Sequence, residues 1–161
     1  MGIVREFIDR NGCRVQFSSG EGWMLDRARH VWVVCTYRGK WVLTKHKERG
    51  LEFPGGKAEG SETLEEACTR EVYEETGGLA GKLVYLGSYR VVCGREDFYK
   101  AVFYTNLRGL KQKEDYLETE GPLLAAAFPK NLEASEDYSY IMKDELLPIC
   151  LGIVEKMGLN R

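Results

Sequence analysis

Three glutamates, Glu71, Glu74 and Glu75, stand within five residues of one another, next to Arg70. At about 100° per residue they share one helix face with four apolar residues, Leu64, Ala67, Cys68 and Val72. A run of acids is usually a solvated surface, but carboxylates on an inward face are costly unless positive charge neutralises them. Because one arginine cannot balance three carboxylates, the spacing indicates a bound divalent cation, Mg²⁺ or alternatively Mn²⁺.

Helix signals bracket this segment. Thr63 and Glu66 have the spacing of a capping box, and the Gly77-Gly78 pair supplies a stop, so the sequence predicts a helix over about 64–76. Five of its polar or aromatic residues are expected on the outer or flanking sides: Glu65, Glu66, Thr69, Tyr73 and Thr76. Just before the helix, the run EFPGGK (52–57) breaks into a glycine pair that would let backbone approach a ligand closely.

The remaining elements must position that helix. Runs at 31–35 and 41–44, separated by Tyr37-Arg38-Gly39-Lys40, predict a β-hairpin. Further strands are predicted at 14–17, 83–86, 88–92 and 98–105. A second helix is expected over about 141–157, kinked at Pro148 or beginning after it. Strands, helix, strands and helix predict an α/β fold with a mixed sheet between helices, in one domain spanning 1–161.

Composition limits the possible partners. Hydrophobic residues make up 43% and charged residues 30% of the chain, which is typical of a folded domain. The net charge of -2 argues against duplex DNA as a partner. No apolar run is long enough to predict a membrane span, and no protein partner is predicted. The scattered residues Cys13, Cys35, Cys68, Cys93 and Cys150 are expected to be reduced, mostly buried thiols of a cytoplasmic protein.

The glutamates belong to a longer motif. It reads Gly-x5-Glu-x7-Arg-Glu-apolar-x-Glu-Glu-x-Gly-apolar, from Gly56 through Glu62 and Arg70 to Gly77. This resembles the box of the Nudix hydrolases, with one departure: Gly78 stands where the family has an aliphatic residue. The likeness extends through HVWVV, ERGLEFPGGK, ETEGP and SYIMKDELLP. Over that extent the chain resembles the Bacillus-type branch, described both as 8-oxo-dGTP diphosphatases and as RNA 5'-pyrophosphohydrolases.

The resemblance implies a Nudix α/β/α sandwich and a Mg²⁺-dependent pyrophosphohydrolase. It implies that Glu71, Glu74 and Glu75 bind the metal together with the Gly55 carbonyl. Glu71 is the first choice for general base, although the family also uses distal glutamates. Arg70 and Glu62 are expected to orient the helix and the preceding loop.

A distal carboxylate often completes the metal site in this family. Glu118 is favoured because it lies in the ETEGP run, with Glu114, Asp115 and Glu120 as the other candidates. An exposed acidic loop is the competing interpretation of this stretch.

Substrate contacts are predicted less directly. Lys45, His46, Lys47 and Arg49 all precede the glycine turn, and Lys45 is chosen by position to bind phosphate. In the turn, Gly56 and Lys57 are predicted to contact substrate. For the base, Phe53 and Tyr140 could stack, and Asp144 could accept from a guanine edge. The competing interpretations are a core aromatic residue and a helix-capping acid.

The expected activity is cleavage of purine nucleoside 5'-triphosphates of the GTP, dGTP or 8-oxo-dGTP type into a monophosphate and pyrophosphate. An alternative substrate is the triphosphorylated 5' end of RNA. An alternative of another class is a nucleotide sensor that does not cut. The full glutamate set argues against a sensor, which needs neither a base nor a metal cluster.

Overall fold

A computed structural model describes residues 4–20 and 22–160. Two short 3-10 turns, Leu132–Ala134 and Tyr140–Met142, accompany the α-helices and strands of this part of the chain. Its α-helices are α1 (Trp23–Arg27), α2 (Leu64–Thr76) and α3 (Leu146–Lys156). Its strands are β1 (Val4–Ile8), β2 (Arg14–Ser18), β3 (His30–Tyr37), β4 (Lys40–His46), β5 (Gly50–Glu52), β6 (Gly55–Lys57), β7 (Gly78–Leu79), β8 (Val84–Cys93), β9 (Glu96–Asn106), β10 (Gly109–Leu110) and β11 (Thr119–Ala125).

The main sheet is mixed. Its strand order is β1-β2-β8-β9-β3-β4-β11, with β5 paired to β4 and β6 paired to β3. Strands β3 and β9 run parallel, whereas the other pairs of the described sheet are antiparallel. Strands β7 and β10 form a separate two-stranded ribbon at the end of α2.

Alternate residues of β3 supply two cores, because successive side chains point to opposite faces of a sheet. Val31 and Val33 belong to the core that contains the apolar face of α2. Trp32 and Val34 belong to the core that contains α3. The central strand is thus buried on both faces, and the predicted α/β/α sandwich with a mixed sheet is confirmed.

The predicted hairpin is confirmed. Strands β3 and β4 pair through Tyr37 and Lys40, and both turn residues, Arg38 (φ 51°) and Gly39 (φ 78°), are left-handed, as a two-residue type I′ turn requires. The separate strands predicted at 83–86 and 88–92 are one strand, β8, with an irregularity at Gly87. A Cβ there would lie 2.5 Å from the Phe17 ring, so only glycine fits.

The predicted second helix begins later than expected. A 3-10 turn covers Tyr140–Met142, and α3 starts at Leu146. Pro148 is the third residue of α3, inside the first turn, where its missing N–H costs no helical hydrogen bond. Helix α3 therefore does not start after the proline but includes it. No helix in the described ranges is long and apolar enough to cross a membrane.

Cys13 and Cys93 form a disulfide, so the expectation of five reduced thiols is wrong for this pair. Strands β2 and β8 pair Arg14 with Val92, and the cysteines occupy the next register position, with Cα atoms 4.7 Å apart. Their sequence separation of 80 residues means that the sequence does not indicate that the two cysteines are neighbours. The other three cysteines, Cys35, Cys68 and Cys150, are buried and free, as expected.

Candidate active site

Helix α2 has the predicted bounds. The Thr63 side chain accepts from the Glu66 amide at 3.1 Å, and the Glu66 carboxylate accepts from the Thr63 amide at 3.0 Å. At the other end Gly77 is left-handed (φ 76°), and a Cβ there would lie 1.9 Å from the Lys111 carbonyl. Gly78, the departure from the family pattern, has Leu107 packed where a larger residue would go, 2.7 Å from the position of a Cβ.

The inward face of α2 carries both apolar residues and acids. Ala67, Cys68 and Val72 are fully buried, and Glu75 is 7% exposed. The Glu71 and Glu74 side chains are 13% and 31% exposed. Thr76 was expected on a flanking side but is fully buried. It can face inward because its hydroxyl donates to the Val72 carbonyl and accepts from the Gly78 amide.

Arg70 connects the helix to the preceding loop. Its guanidinium donates twice to Glu62, from Nε at 2.8 Å and from a terminal nitrogen at 2.9 Å. It also donates to Glu71, to Glu74 at 3.2 Å and to the Lys57 carbonyl at 3.1 Å. This pairing holds the pKa of Glu62 at about 2. A single arginine therefore hydrogen-bonds three carboxylates, lies 3.6 Å from a fourth, that of Glu59, and joins α2 to the loop that carries the glycine turn.

The glycine turn lies directly on the glutamates. The Gly55 amide donates to Glu75 Oε1 at 2.9 Å. A Cβ at Gly56 would lie 2.6 Å from the Glu71 carboxylate. Burial raises the pKa of Glu71 to about 7, against the lowering effect of Arg70. Burial raises the pKa of Glu75 to about 8, against the Gly55 hydrogen bond. Both carboxylates are therefore short of positive charge.

Glu118 meets the helix glutamates at one cleft. That cleft is lined by Glu59, Arg70, Glu71, Glu74, Glu75, Leu117 and Glu118. Of the other distal candidates, Glu120 is 3.6 Å from Lys45, and Asp115 accepts from the Leu117 amide. Within residues 4–20 and 22–160, no three acidic, histidine or cysteine side chains already stand at metal-binding distances. The side chains of Glu71 and Glu74 are instead bonded to Arg70.

One of the predicted substrate contacts is wrong, and a second lies outside the glutamate cleft. Phe53 is fully buried and packs edge-on against Trp32, Trp41 and Phe128, so its ring cannot stack on a base. Lys45 alternates with Thr44, whose hydroxyl donates to the Glu75 carbonyl, so Lys45 points away from α2. Its ammonium faces Glu120 and does not line the glutamate cleft. Lys57 has an exposed side chain and contributes its carbonyl to Arg70.

Tyr140 and Asp144 line a second cavity, of about 150 Å³. Sites that enclose whole ligands measure roughly 300–1,000 Å³, so this cavity suits one planar group. Burial raises the pKa of Asp144 to about 6. Sequence reasoning missed Lys100, which lines the same cavity with its ammonium near the rings of Tyr89 (6.0 Å) and Phe98 (5.9 Å). Lys100 lies in β9 outside any motif, so the sequence does not indicate that it lines a cavity.

Sequence reasoning also passed over Arg49 in favour of Lys45. Arg49 donates to Glu52 from Nε at 3.0 Å and from a terminal nitrogen at 2.8 Å. The sequence does contain an Arg49-x-x-Glu52 spacing. It indicates an ion pair only when the backbone is known to turn between the two residues, as it does at Gly50 (φ 100°).

The fold and this site together define a hydrolase built around a glutamate-bearing helix. The NUDIX domain profile matches residues 24–134, and the chain belongs to the Nudix family, which generally uses divalent cations such as Mg²⁺. A Bacillus subtilis protein named putative 8-oxo-dGTP diphosphatase YtkD is 43% identical over 95% of this chain and 97% of its own length.

Solved structures agree with this assignment. The Bacillus subtilis pyrophosphohydrolase BsRppH, as a glutamate-to-alanine mutant, matches with a TM-score of 0.95 and 41% identity over 98% of this chain and 99% of its own. A Nudix hydrolase from Nitrosomonas europaea, at 20% identity, shares the fold alone, with a TM-score of 0.65 over 81% of this chain and 90% of its own. The chain is a Nudix pyrophosphohydrolase, and the resemblance inferred from its sequence is confirmed.

Proposed function

We propose that the chain cleaves purine nucleoside 5'-triphosphates of the GTP, dGTP or 8-oxo-dGTP type into nucleoside monophosphate and pyrophosphate. The observation that carries this proposal is the buried carboxylate excess of Glu71 and Glu75 on the inward face of α2. The likeness to the Bacillus subtilis protein named putative 8-oxo-dGTP diphosphatase YtkD supports the nucleotide class.

The residues present fit a divalent cation. Arg70 is committed bidentately to Glu62, so it cannot neutralise Glu71, Glu74 and Glu75 together. Clustered carboxylate oxygens are the ligands that Mg²⁺ and Mn²⁺ prefer. We assign the metal to these three glutamates, with Glu118 and the Gly55 carbonyl as further ligands. When bound, the cation would neutralise charge developing on the phosphates and lower the pKa of the attacking water.

The protein's own groups supply orientation and proton transfer. Glu71 accepts the proton of the water that attacks phosphorus, while the bond to the leaving phosphate oxygen breaks. Arg70 keeps Glu71 and Glu74 in place through its bonds to both. The Gly56 position has no side chain, which lets the backbone of the turn lie directly against the Glu71 carboxylate.

The second cavity is assigned to the base. Asp144 accepts hydrogen bonds, and the Lys100 ammonium donates them. Guanine presents N–H donors at N1 and N2 next to the O6 acceptor, which is the complementary pattern. Tyr140, 40% exposed at the rim, can stack on the base plane. The cavity therefore favours guanine bases over adenine.

Product analysis tests this assignment. With Mg²⁺ the protein is expected to convert GTP and 8-oxo-dGTP to monophosphate and pyrophosphate, with a higher kcat/KM than for ATP. Chromatographic separation of the products with parallel pyrophosphate detection makes the measurement. Equal kcat/KM for GTP and ATP would contradict the base assignment, and absence of turnover for every nucleotide would contradict the activity.

RNA with a 5'-triphosphate is the second candidate substrate, favoured by the likeness to the Bacillus subtilis pyrophosphohydrolase BsRppH. The net charge of -2 leaves no extended cationic track for many phosphates. The chain is therefore expected to read only the triphosphate and the first one or two nucleotides, with a shallow dependence of affinity on salt. Cleavage efficiency that kept rising well beyond the first few nucleotides would contradict reading of the end alone.

A further inference from the structure

Arg49 lies between the glutamate cleft and the base cavity. It lines an open cleft with His46, Lys47, Glu48, Leu117 and Glu118. Leu117 and Glu118 also line the glutamate cleft, so the two clefts adjoin. On the other side, Arg49 is within electrostatic reach of Tyr140. The hydrogen bond to Glu52, followed by the charges of Glu52, Tyr140 and Glu75, raises the pKa of Arg49.

The position of Arg49 is built into the backbone around β5. The Leu51 amide donates to the Asp137 carbonyl at 2.8 Å, and the Ser139 amide donates to the Leu51 carbonyl at 2.9 Å. These bonds join β5 to the residues just before Tyr140. At Gly50 a Cβ would lie 2.5 Å from the Asp137 carbonyl, so the close approach requires glycine.

The other end of β5 is tied to α2. Glu52 stands opposite Thr44 in the β4–β5 register, and the Thr44 hydroxyl donates to the Glu75 carbonyl at 2.9 Å. One short strand thus sets the distance from Arg49 to both the base cavity and the glutamates.

The guanidinium is held with one edge unused. Nε and one terminal nitrogen donate to Glu52, whose side chain is 5% exposed. The other terminal nitrogen has no hydrogen-bond partner among the described residues. The Arg49 side chain is 38% exposed, so this edge is accessible from the cleft. A fixed guanidinium with a free edge is suited to binding phosphate oxygens.

The neighbouring cations are otherwise engaged. Lys45 faces Glu120 at 3.6 Å, and the Lys47 ammonium donates to the Leu117 carbonyl at 2.8 Å. His46 Nδ1 accepts from the amides of Glu48 and Arg49 at 3.1 Å. Of the three longer basic side chains at 45, 47 and 49, Arg49 is the one whose charged group is fixed by two hydrogen bonds to a buried acid.

We propose that Arg49 binds the substrate phosphate nearest the nucleoside, and that Glu52 is the positioning residue that holds the guanidinium for it. This deepens the proposed function and rests on it, because the order base cavity, Arg49, glutamates matches the order base, inner phosphate, outer phosphates in a nucleoside triphosphate. Arg49 would set which phosphorus reaches Glu71 by fixing the inner end of the chain.

The test compares Arg49→Ala, Arg49→Lys and Glu52→Gln with wild type, measuring kcat and KM for GTP with Mg²⁺. Loss of a charged hydrogen-bonding partner predicts a KM about tenfold to a hundredfold higher for Arg49→Ala. Arg49→Lys should raise KM less than Arg49→Ala does, because lysine keeps the positive charge but lacks the planar guanidinium that forms two parallel hydrogen bonds. Glu52→Gln should raise KM with little change in kcat, since the guanidinium is present but less fixed.

Arg90→Ala is the matched control. Arg90 makes the same two-bond contact with an acid, Asp97, at 2.8 and 2.6 Å, on the exposed β8–β9 hairpin. The KM of the Arg90→Ala variant for GTP is expected to equal that of wild type. Because Arg49→Ala leaves Glu52 buried without a partner, the double variant Arg49→Met, Glu52→Gln removes both charges and guards against unfolding. It too should show the raised KM.

Binding of a non-hydrolysable GTP analogue by calorimetry separates the two levels of the proposal. Suppose that wild type hydrolyses GTP, and that Arg49→Ala or the folded double variant has the same KM for GTP and the same affinity for the analogue as wild type. This result would overturn the Arg49 assignment alone. A raised KM in Lys45→Ala with none in Arg49→Ala would also overturn it, by moving the phosphate contact to Lys45. A wild type that neither binds the analogue nor hydrolyses GTP would overturn the proposed function and the Arg49 assignment together.

Discussion

Replacing Asp144 with asparagine should stabilise the folded protein at neutral pH. The pKa of Asp144 is raised from 3.8 to about 6, chiefly by burial, with Asp9 and Glu145 adding to the rise. The folded state therefore holds the proton more tightly than the unfolded chain, and the associated stability, present below pH 4, is lost as pH rises through about 6. At 1.36 kcal/mol per pH unit, ionised Asp144 costs about 3 kcal/mol above pH 6.

Asparagine removes the charge but keeps the acceptor for the Leu146 amide, which lies 2.8 Å from Asp144 Oδ1. The variant should be more stable than wild type by up to about 3 kcal/mol at pH 7.5, with the difference vanishing near pH 4. Urea denaturation at both pH values measures it, with the exposed Asp26→Asn as the control, for which no difference is expected. Selectivity for GTP over ATP should fall at the same time. A variant no more stable than wild type at pH 7.5 would refute the reasoning.

Three further outcomes are expected. Glu71→Gln and Glu75→Gln should keep the fold but lower GTP turnover roughly a hundredfold or more. The control Glu65→Gln, at an exposed position, should keep wild-type turnover. Near wild-type rates in Glu71→Gln or Glu75→Gln would contradict the metal-site assignment. Mg²⁺ at a hundred times its Kd should add about 2.7 kcal/mol to the free energy of unfolding of wild type but not of Glu75→Gln, seen as a higher melting temperature; no shift, with activity also absent, would favour a nucleotide sensor. Denatured, unreduced protein should titrate three thiols, and replacing Cys13 and Cys93 with serine should cost up to about 4.5 kcal/mol; five thiols before reduction would contradict the disulfide.

The parts of the fold predictable from the sequence are those fixed by neighbouring residues. Thr63 and Glu66 cap α2 through bonds three residues apart, so its start is readable from the sequence. The hairpin turn at Arg38-Gly39 is equally local. The inward glutamates follow from helix periodicity and from their apolar neighbours, which together place them on the buried face.

The errors arise where distant segments meet. Phe53 adjoins the glycine turn in sequence, but its burial depends on Phe128, and nothing local distinguishes a core ring from a stacking one. Cys13 and Cys93 are paired by the β2–β8 register. Arg49 and Lys45 look alike as basic residues, and only the buried Glu52 distinguishes them. Each of these depends on tertiary contacts that have no periodic signature.

The most direct test of the α2 glutamates as the catalytic metal site is product analysis of GTP with wild type and Glu75→Gln side by side. Both proteins are incubated with and without Mg²⁺, and GMP, pyrophosphate and phosphate are quantified by anion-exchange chromatography. Wild type is expected to release GMP and pyrophosphate in equal amounts only with the metal, and Glu75→Gln to release almost none. Mg²⁺-independent cleavage by wild type, or full cleavage by the variant, would contradict the account.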